Sequence, residues 1–453
     1  MDFTGTRALV IGTGISGLSA VSLLERQGAQ VTLYDANEKL TGEQVRGKLK
    51  AGSRARIRIG GDWERELDGT TLVVPSPGVP MDIPMMKAVL ERGIPVWGEI
   101  ELGYRCGRGP VAAITGTNGK TTTTTLVGEI LGSYYPHTYV VGNIGKPYAD
   151  VADGMEEDAV TAAEISSFML ESIVKFRPKV SAILNVTPDH LNRHHTMENY
   201  VAAKERIAEN QTKEDTCVLN YDDAVLREYA EKCPADVLFF SRLHRLEQGV
   251  DLEDGWLVLR DGGTEERICR TEELHILGGH NHENAMAAIA VAHRMGVPSD
   301  VIRRALLSFR AVEHRIEFVE EIGGVAYYND SKGTNPDAAI KGIRAMDRST
   351  HLIGGGYDKG SEYDEWIEAF DGKVKTLVLI GATAPKIASC ACAHGFSPVV
   401  TVPSLEEAVR ECAKRAVPGD AVLLSPACAS WDMFESFEQR GTLFKKYVRD
   451  LMV

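Results

Sequence analysis

The sequence repeats one pattern three times over its 453 residues: a short apolar run that ends near a glycine, followed by a stretch with helical spacing. The first series has apolar runs at 6–12, 29–35 and 70–80, and helical spacing at 16–28. The pattern starts again with the apolar run at 111–117, after Gly107-Arg108-Gly109-Pro110, and once more near residue 310. Strands that alternate with helices indicate parallel sheets, because a parallel crossover usually takes a helix.

We therefore predict an α/β protein of three domains, each with a largely parallel sheet, at 1–108, 109–309 and 310–453. In the central domain further strands are expected at 158–166, 179–186 and 216–220, with a helix at 283–296. The segment 307–319 is predicted to cross from one domain to the next. In the third domain strands are expected at 324–330, 350–356, 376–382, 398–402 and 420–426.

Charge and cysteine content exclude several classes of protein. Lys and Arg number 50 against 64 Asp and Glu, giving a net charge of −14, which argues against a general nucleic-acid binder. The eight cysteines are scattered and form no C-x-x-C pair, which indicates reduced thiols in a cytosol. The N-terminus predicts a strand and not a signal peptide, and no apolar run reaches the roughly 20 residues of a membrane span. We expect a cytoplasmic protein that does not contact a membrane.

A glycine-rich turn joins the first predicted strand to the first predicted helix. Gly12, Gly14 and Gly17 fit the pattern G-x-G-x-x-G, and Asp35 ends the next strand. Such a turn lets backbone N–H groups approach a pyrophosphate at a helix N-terminus, while the acid meets a ribose hydroxyl. A dinucleotide such as NAD is one candidate ligand. A tight strand-to-helix turn without a ligand is another, because glycine suits any such turn.

The second glycine turn, in the segment GTNGKT, carries a lysine. A strict P-loop has glycine six positions before that lysine, whereas Ile114 stands six before Lys120. The chemistry of a phosphate loop is still possible: glycines expose N–H groups, Lys120 reaches the β- and γ-phosphates, and the Thr121 hydroxyl can bind Mg²⁺. The alternative is a capped helix with an incidental lysine.

Candidate ligands for Mg²⁺ follow at strand ends. Glu164 lies at the end of one apolar run, and Asp189 and His190 lie in the segment at 185–195. Mg²⁺ takes carboxylates, phosphates and water, but Glu164 could equally be a solvated acid at the end of a strand. His190, His194 and His195 could suggest zinc, but no Cys/His framework accompanies them.

The order of these motifs resembles the Mur ligases, a family of ATP-dependent amide-forming enzymes of peptidoglycan precursor synthesis. The matching segments, in chain order, are GTNGKTTT, GNIGKP, EISSF, NVTPDHLNRH, AAKERI, LGGHNHEN, EHRIE, NDSKGTNPDA and SPACASWDMFESFEQRG. With SPGVP at 76–80, the last of them resembles the branch of the family that adds D-glutamate. GTNGKT alone would indicate only the wider superfamily, which includes folylpolyglutamate synthases.

The resemblance implies a Rossmann-like first domain that binds UDP, a central P-loop ATPase-like domain and a Rossmann-like third domain. It also implies a reaction in which ATP phosphorylates the carboxylate of UDP-N-acetylmuramoyl-L-alanine. The amine of D-glutamate then displaces phosphate from the acyl phosphate. The cofactors implied are ATP and Mg²⁺ at two sites, and the expected state is a monomer.

The same resemblance assigns roles to residues of the central domain. Lys120, His190 and Lys204 are expected to be catalytic, with Lys204 carbamylated so that it offers an anionic oxygen. Taken without the motif, Lys204 would be an ordinary exposed helix lysine. Thr121, Glu164, His190 and carbamylated Lys204 are expected to bind the two Mg²⁺ ions. The expected ATP ligands are Gly116, Thr117, Asn118, Gly119, Lys120, Thr121, Thr122, Asn281, Asn284, Arg315 and Asp330.

The expected substrate ligands are spread along the chain. Four residues match positions implicated in holding D-glutamate, namely Lys332, Thr334, Ser430 and Phe437. Six others would hold the UDP-sugar, namely Gly14, Ser16, Asp35, Ser76, Asn143 and Ser166. Two positions depart from the family pattern. Asp35 is followed by Ala36-Asn37, and Trp431 stands beside Ser430 where a smaller aliphatic residue is expected.

Three alternative functions stay open at this point. The first is a ligase that adds another amino acid, such as L-alanine or a diamino acid. The second is a nicotinamide oxidoreductase built on Gly12–Gly17, which would leave Lys120 and the later motifs unexplained. The third is a nucleotide switch that hydrolyses ATP or GTP without forming a bond.

Overall fold

The computed structural model describes residues 1–310 and 312–452. Ala311 and Val453, which fall in the predicted third domain, lie outside the described residues. Ala311 also belongs to the predicted crossing at 307–319. The chain forms two compact units. The first comprises residues 1–271 and 283–306, and the second comprises residues 272–282 and the chain from 307 onward.

The first unit contains two sheets, and the N-terminal one has four parallel strands in the order β3-β2-β1-β4. β1 is buried from Ala8 to Ile11, as expected of a strand covered on both faces. The strands and the four helices of this region are β1 Arg7–Ile11, α1 Ile15–Arg26, β2 Gln30–Asp35, α2 Gly42–Lys48, β3 Arg56–Ile59, β4 Leu72–Pro75, α3 Pro84–Glu91 and α4 Glu99–Cys106.

The second sheet of this unit has nine strands in the order β13-β12-β11-β10-β9-β8-β5-β7-β6. It is parallel from β6 to β11, and β12 and β13 are added as antiparallel edge strands. Its strands are β5 Val111–Thr115, β6 Thr138–Gly142, β7 Val160–Glu164, β8 Val180–Ile183, β9 Thr216–Asn220, β10 Asp236–Ser241, β11 Gly249–Glu253, β12 Trp256–Asp261 and β13 Thr264–Arg270. The helices are α5 Lys120–Gly132, α6 Tyr148–Val151, α7 Ser167–Leu170, α8 Leu191–His194, α9 Met197–Glu205 and α10 Ala224–Lys232. Two further helices, α11 Gly279–Arg294 and α12 Ser299–Ser308, belong to this unit only over residues 283–306.

The two sheets of the first unit share a continuous core along α1, α4 and α6. Polar contacts accompany it: Ser19 donates to Asp150 at 3.0 Å, and the Arg26 guanidinium binds Asp153 at 2.7 Å. Glu99 is buried and accepts a hydrogen bond from the backbone N–H of Ala149 at 2.7 Å. Burial raises the pKa of Glu99 to about 7.

The second unit contains a six-stranded sheet in the order β14-β15-β19-β16-β17-β18. All its strands are parallel except β14, which pairs antiparallel with β15. Separate apolar clusters cover its two faces. The elements are β14 Glu317–Ile322, β15 Val325–Asn329, α13 Pro336–Ala345, β16 Thr350–Gly354, α14 Asp364–Glu368, β17 Val374–Leu379, α15 Ala384–Ala393, β18 Val399–Thr401, α16 Leu405–Arg415, β19 Ala421–Leu424 and α17 Phe437–Arg449.

The predicted α/β architecture with three largely parallel sheets is confirmed. Sequence reasoning missed the edge strands β3, β6, β13 and β14 and the inner strands β10, β11 and β12. The boundaries at 108/109 and 309/310 stay predictions. In the part of the chain that the structure describes, no helix has the length and apolar character needed to cross a membrane.

Candidate active site

Three predicted residues of the central domain meet at one edge of the nine-stranded sheet. β5 lies between β8 and β7, and β6 lies beyond β7. Gly116 follows β5, Glu164 ends β7, and Asn143 follows β6. Because these strands are parallel, their carboxyl ends share an edge, which is where open α/β sheets bind ligands.

The loop between β5 and α5 has a conformation that requires glycine at its last position. Gly119 has a φ of 84°, in the left-handed region. A Cβ added there would lie 2.3 Å from Oδ1 of Asn284. Helix α5 then begins at Lys120, so its first N–H groups are exposed at the turn, as phosphate binding requires.

Two lysine side chains converge on this loop. Nζ of Lys120 donates to the carbonyl oxygens of Gly116 at 2.9 Å and Thr117 at 3.0 Å. Nζ of Lys204, from α9, donates to the same Gly116 oxygen at 2.8 Å. The two nitrogens therefore share one acceptor, so two positive charges would be held close together.

Lys204 is buried, with only 2% of its surface exposed, so it is not the exposed helix lysine that its local sequence favours. Its Nζ lies 4.6 Å from the ring centroid of Tyr200. Burial, with repulsion from Lys120 as the second cause, lowers the pKa of Lys204 to about 6. At neutral pH this side chain is therefore mostly the uncharged amine.

Glu164 is fully buried, which excludes the solvated acid that its position at a strand end allowed. Its Oε1 accepts a hydrogen bond from Nδ2 of Asn143 at 2.8 Å. Its Oε2 is buried and has no hydrogen-bond partner in the protein. Because a buried carboxylate oxygen is costly without a partner, this atom fits a cation ligand. Oxygen is the donor that Mg²⁺ prefers, so the residues present fit the metal.

Asn185, Thr187 and Tyr200 hold the loop in place, and sequence reasoning selected none of them. Asn118 and Asn185 exchange two hydrogen bonds, at 2.8 and 3.1 Å, between backbone and side-chain groups. The Thr117 hydroxyl contacts the Tyr200 hydroxyl at 3.1 Å and donates to the Thr187 carbonyl at 3.1 Å. Asn185 follows β8 and so lies at the same sheet edge. Because β8 was predicted from the sequence, the position of Asn185 just after it could have identified this residue.

The remaining threonines of this segment differ in role. Thr122, Thr123 and Thr124 are buried in α5, and Thr123 donates to Oδ1 of Asn284 at 3.3 Å. Thr121 is half-buried in the first turn, and its carbonyl accepts from the Thr125 hydroxyl at 2.8 Å.

The three histidines after β8 have different partners. His190 has a φ of 53°, is about half exposed, and lies 3.5 Å from Asp189. Nε2 of His194 is buried 3.0 Å from the Ser167 hydroxyl. His195 lies 3.4 Å from Asp82. Burial lowers the pKa of His194, so it acts as a neutral hydrogen-bonding residue.

The remaining central-domain residues are held by local contacts. Ser166 caps α7 by accepting from the N–H of Met169 at 3.3 Å. Asn284 is buried in the first unit. Asn281, in the second unit, is also buried and donates to the Leu277 carbonyl at 2.8 Å.

The N-terminal glycine turn is closely packed. A Cβ on Gly17 would lie 2.0 Å from the Gly12 carbonyl oxygen, so only glycine fits there. Asp35 accepts from the N–H and hydroxyl of Thr13 at 2.9 and 2.6 Å. Burial opposes ionisation of Asp35, but hydrogen bonds from Thr13 and Asn37 outweigh it and lower its pKa.

Three further residues complete this turn. Ser76 follows β4 and donates to the Gly12 carbonyl at 3.4 Å. Gly14 is exposed at the N-cap of α1, and Ser16 is half-buried in its first turn. Gly14, Ser16, Asp35 and Ser76 therefore lie together at the carboxyl edge of the four-stranded sheet.

In the second unit, Asp330 follows β15 and is buried. The Ser425 hydroxyl, which follows the neighbouring strand β19, donates to its Oδ2 at 2.6 Å. Burial raises the pKa of Asp330 to about 7, against the opposing effects of Ser425 and Arg315. Nε of Arg315 is buried without a hydrogen-bond partner in the protein.

The predicted D-glutamate ligands lie near a buried arginine that sequence reasoning missed. Lys332 lies 5.8 Å from the ring centroid of Phe437. Ser331, the neighbour of Lys332 in sequence, donates to the Phe437 carbonyl at 2.8 Å and accepts from Nε of Arg440 at 3.0 Å. Arg440 is fully buried, and burial lowers its pKa to about 10.

Thr334 and Ser430 are held through their backbones. The N–H of Thr334 donates to the Lys332 carbonyl, and the Ser430 carbonyl accepts from Phe434, both at 2.8 Å. Ser430 is buried, whereas its neighbour Trp431 is 63% exposed and contacts the Tyr357 ring at 5.6 Å between centroids. The indole of Trp431 therefore points to solvent beside the buried serine.

Comparison with known proteins agrees with this arrangement of sheets and loops. Residues 6–98 match the N-terminal domain of the Mur ligase MurD-like family, residues 114–292 match the Mur ligase middle domain, and residues 314–428 match the Mur ligase glutamate ligase domain. The chain belongs to the Mur ligase family.

Individual relatives are similar over the full length. The chain is 54% identical to the UDP-N-acetylmuramoylalanine–D-glutamate ligase of Lachnoclostridium phytofermentans, covering 100% of this chain and 99% of the relative. It is 52% identical to the enzyme of the same name from Lachnospira eligens, covering 100% of both. Among solved structures, the MurF ligase of Thermotoga maritima in complex with ADP has a TM-score of 0.60 at 17% identity, covering 98% of this chain and 95% of that one.

Proposed function

We propose that this protein is an ATP-dependent ligase that joins D-glutamate to UDP-N-acetylmuramoyl-L-alanine in peptidoglycan precursor synthesis. The observation that carries the proposal is the identity of 46–54% over essentially the whole chain to enzymes named for this reaction. The geometry of the GTNGKT loop supports the ATP dependence, because its glycine in the left-handed region, exposed helix start and lysine are suited to a triphosphate.

The reaction needs ATP because a free carboxylate is a poor acyl donor. Its oxygen attacks the γ-phosphorus, the bond to the β-phosphate oxygen breaks, and ADP leaves. The amine of D-glutamate then attacks the acyl carbon, loses a proton, and expels inorganic phosphate. Lys120 would neutralise the β- and γ-phosphates during the first step, while the N–H groups at the start of α5 hold them in position.

The environment of Lys204 favours the formation of a carbamate on its side chain. Carbon dioxide reacts with an uncharged amine, and burial beside Lys120 keeps Lys204 largely uncharged at neutral pH. The product, a carbamate, would place an anionic oxygen ligand beside the positive charge of Lys120.

Mg²⁺ would be held by Thr121, Glu164, His190 and carbamylated Lys204, and two ions are proposed. The unpartnered Oε2 of Glu164 is the strongest support for this set. When bound, Mg²⁺ would offset the negative charge of the phosphates and of the substrate carboxylate. Within the chain, Asn143 orients Glu164, and Asp189 lies beside His190.

The nucleotide and substrate ligands follow the same reasoning. The further ATP ligands that we propose are Thr117, Asn118, Thr122, Asn281, Asn284, Arg315 and Asp330. Gly14, Ser16, Asp35, Ser76, Asn143 and Ser166 are proposed for the UDP-sugar, and Lys332, Thr334, Ser430 and Phe437 for D-glutamate. Asp35 retains acceptor capacity for a ribose or base donor, since carboxylate oxygens accept more than one hydrogen bond.

A cytoplasmic monomer is proposed for the working enzyme. In the part of the chain that the structure describes, none of the eight cysteines is joined in a disulfide, as in reducing compartments. Large apolar side chains that are exposed, such as Leu90, Val174 and Leu243, are scattered over the described residues. Light scattering after gel filtration should give one species at the mass of a single chain, and a stable dimer would contradict this part of the proposal.

Phosphate release with UDP-N-acetylmuramoyl-L-alanine and a panel of D- and L-amino acids tests the function. We expect release that requires both the UDP-sugar and D-glutamate, and a product with the mass of the glutamyl adduct. Stimulation by L-alanine or a diamino acid in place of D-glutamate would identify a different ligase of the same family. Hydrolysis of ATP at the same rate without either substrate would indicate a nucleotide switch.

A further inference from the structure

Two helices of the second unit place a carboxylate, a thiol and an imidazole together. Asp364 begins α14, Cys390 lies in the last turn of α15, and His394 is the C-cap residue directly after α15. One ligand atom from each of these three side chains lies within 4.8 Å of the other two. In the part of the chain that the structure describes, this is the one group of three or more His, Cys, Asp or Glu side chains that meets that distance.

We propose that Asp364, Cys390 and His394 form a zinc-binding site. Zn²⁺ combines thiolate, imidazole and carboxylate ligands in tetrahedral sites, whereas Mg²⁺ and Ca²⁺ take oxygen ligands. Bond lengths of 2.0–2.3 Å place tetrahedral ligand atoms roughly 3.3–3.7 Å apart, so small side-chain rotations would close the site. Water would take the fourth position.

The spacing of the residues favours simultaneous binding. Cys390 and His394 are four residues apart, so their side chains lie on one face at the end of α15. Asp364 comes from a neighbouring helix, and its Oδ1 lies 2.9 Å from Nε2 of His394. Asp364 and His394 are therefore already in polar contact without a metal, and the sulfur of Cys390 lies within 4.8 Å of a carboxylate oxygen of Asp364 and of a ring nitrogen of His394.

A fourth residue can orient the imidazole. Oε1 of Glu368, one turn after Asp364, lies 3.8 Å from Nδ1 of His394, the ring nitrogen that does not face Asp364. A carboxylate on the second ring nitrogen is the usual partner of a zinc-bound histidine, because it fixes the tautomer and increases the basicity of the ligand. Glu368 is therefore a positioning residue and not a ligand.

The site is open to solvent, so the ion can enter and leave. Asp364 and His394 are exposed, and Cys390 is half-buried. The distance along α15 from Thr383 to His394 is roughly 16 Å at 1.5 Å per residue. Thr383 contacts Gly356 beyond the carboxyl end of β16, so the zinc site lies at the opposite end of α15 from the carboxyl edge of that sheet.

Binding requires that the thiol lose its proton. The bond from Cys390 sulfur to hydrogen breaks, the sulfur binds Zn²⁺, and the proton passes to buffer. Affinity should therefore rise with pH as the thiol is deprotonated more readily. Zinc would also join the end of α15 to the start of α14, so the metal should stabilise this domain.

Cobalt titration tests the site, because a thiolate on Co²⁺ gives a charge-transfer band in the near ultraviolet. The full-length protein is titrated with Co²⁺ in the presence of excess Mg²⁺ and ADP, which occupy the oxygen-ligand site. We expect one equivalent of Co²⁺ to produce the band and Zn²⁺ to abolish it. Cys390→Ser should remove the band, and Glu368→Gln should weaken binding by about tenfold or more.

Cys392→Ser is the matched control, since Cys392 is an exposed thiol on the same helix, two residues from Cys390. This variant should keep the band. Thermal unfolding gives a second readout: Zn²⁺ should raise the melting temperature of the wild type and of Cys392→Ser but not of Cys390→Ser. A wild type without the band at saturating Co²⁺, or a band that survives in Cys390→Ser, would overturn the proposal.

Discussion

Nζ of Lys120 and Nζ of Lys204 donate to the same carbonyl oxygen, that of Gly116, at 2.9 and 2.8 Å. Burial of Lys204 disfavours its charged form, and repulsion from Lys120 adds to this effect, so the pKa of Lys204 is lowered and its proton is the one that is lost. One cationic lysine, Lys120, and one neutral lysine, Lys204, therefore meet at the Gly116 carbonyl. This difference underlies two of the predictions that follow.

Lys204→Met should alter how stability depends on pH. Because the pKa of Lys204 is lowered from 10.5 to about 6 on folding, the unfolded chain binds more protons between these values, and wild-type stability rises with pH there. Methionine cannot titrate. The variant should be more stable than the wild type near pH 6, and this advantage should shrink by up to about 1.4 kcal/mol per pH unit toward pH 9.

Urea unfolding in buffer free of carbon dioxide, Mg²⁺ and nucleotide measures this difference. Lys87→Met is the control, because Lys87 is exposed on α3, and its difference from the wild type should not change with pH. A constant difference between Lys204→Met and the wild type from pH 6 to 9 would mean that Lys204 stays charged in the folded protein.

Lys204→Ala should lose ligase activity by about 100-fold or more, as expected when one electrostatic group of a site is removed. A short carboxylic acid such as acetate should restore part of it, since it supplies an anionic oxygen in the space left by the side chain. Phosphate release with both substrates is the measurement.

Lys120→Ala provides the comparison for that rescue. It also removes a lysine from the Gly116 carbonyl, but its proposed role is positive charge, so acetate should not restore its activity. Equal rescue of both variants would point to a nonspecific effect of the acid, and full activity of Lys204→Ala would exclude the carbamate.

The sequence predicts the sheets better than it predicts the environment of the site. Six strands coincide with the short apolar runs from which they were predicted, namely β5, β7, β8, β15, β16 and β19. β3, with the sequence RIRI, was missed because it is an edge strand with alternate charged residues and no continuous apolar run. The antiparallel edge strand β13 was missed for a similar reason, since it is largely polar and exposed.

Burial within the site depends on tertiary contacts that no local pattern contains. The helix α9, MENYVAAKE, has no strong apolar face, yet it buries Tyr200 and Lys204. Glu164 ends a buried strand, and the sequence alone cannot tell whether such an acid faces solvent. Asp364 and His394 are far apart in sequence and meet only because α14 packs on α15.

Gly119→Ala should impair nucleotide binding without unfolding the chain. A φ of 84° costs a non-glycine residue about 1–3 kcal/mol, and the new methyl would collide with Oδ1 of Asn284, 2.3 Å away. The loop must therefore shift, and we expect ATP affinity to fall at least about tenfold. Calorimetric titration of ATP into each protein measures this.

Gly47→Ala separates that effect from glycine replacement in general. Gly47 lies within α2, and a Cβ there meets nothing within 4 Å, so alanine should stabilise the protein by roughly 0.5–1 kcal/mol and leave ATP binding unchanged. Normal ATP affinity in Gly119→Ala would show that the observed loop conformation is not needed for the nucleotide.

Glu164→Gln should remove the dependence of nucleotide affinity on Mg²⁺. The unpartnered Oε2 of Glu164 is the proposed metal ligand, and an amide of nearly the same shape carries no charge with which to hold the ion. In the wild type Mg²⁺ should strengthen ATP binding, whereas in the variant the affinities with and without Mg²⁺ should agree within about twofold. Titrations of ATP with Mg²⁺ or with a chelator provide the two affinities.

The exposed Glu129 on α5 offers a matched control for that experiment. Glu129→Gln removes the same charge from the same domain but lies away from the sheet edge, so the strengthening by Mg²⁺ should persist. Because Glu164 is fully buried and a neutral amide is less costly to bury than a carboxylate, Glu164→Gln should also fold stably without metal. If Mg²⁺ strengthened ATP binding equally in Glu164→Gln and the wild type, the ion would be held by other groups and the proposed ligand set would be wrong.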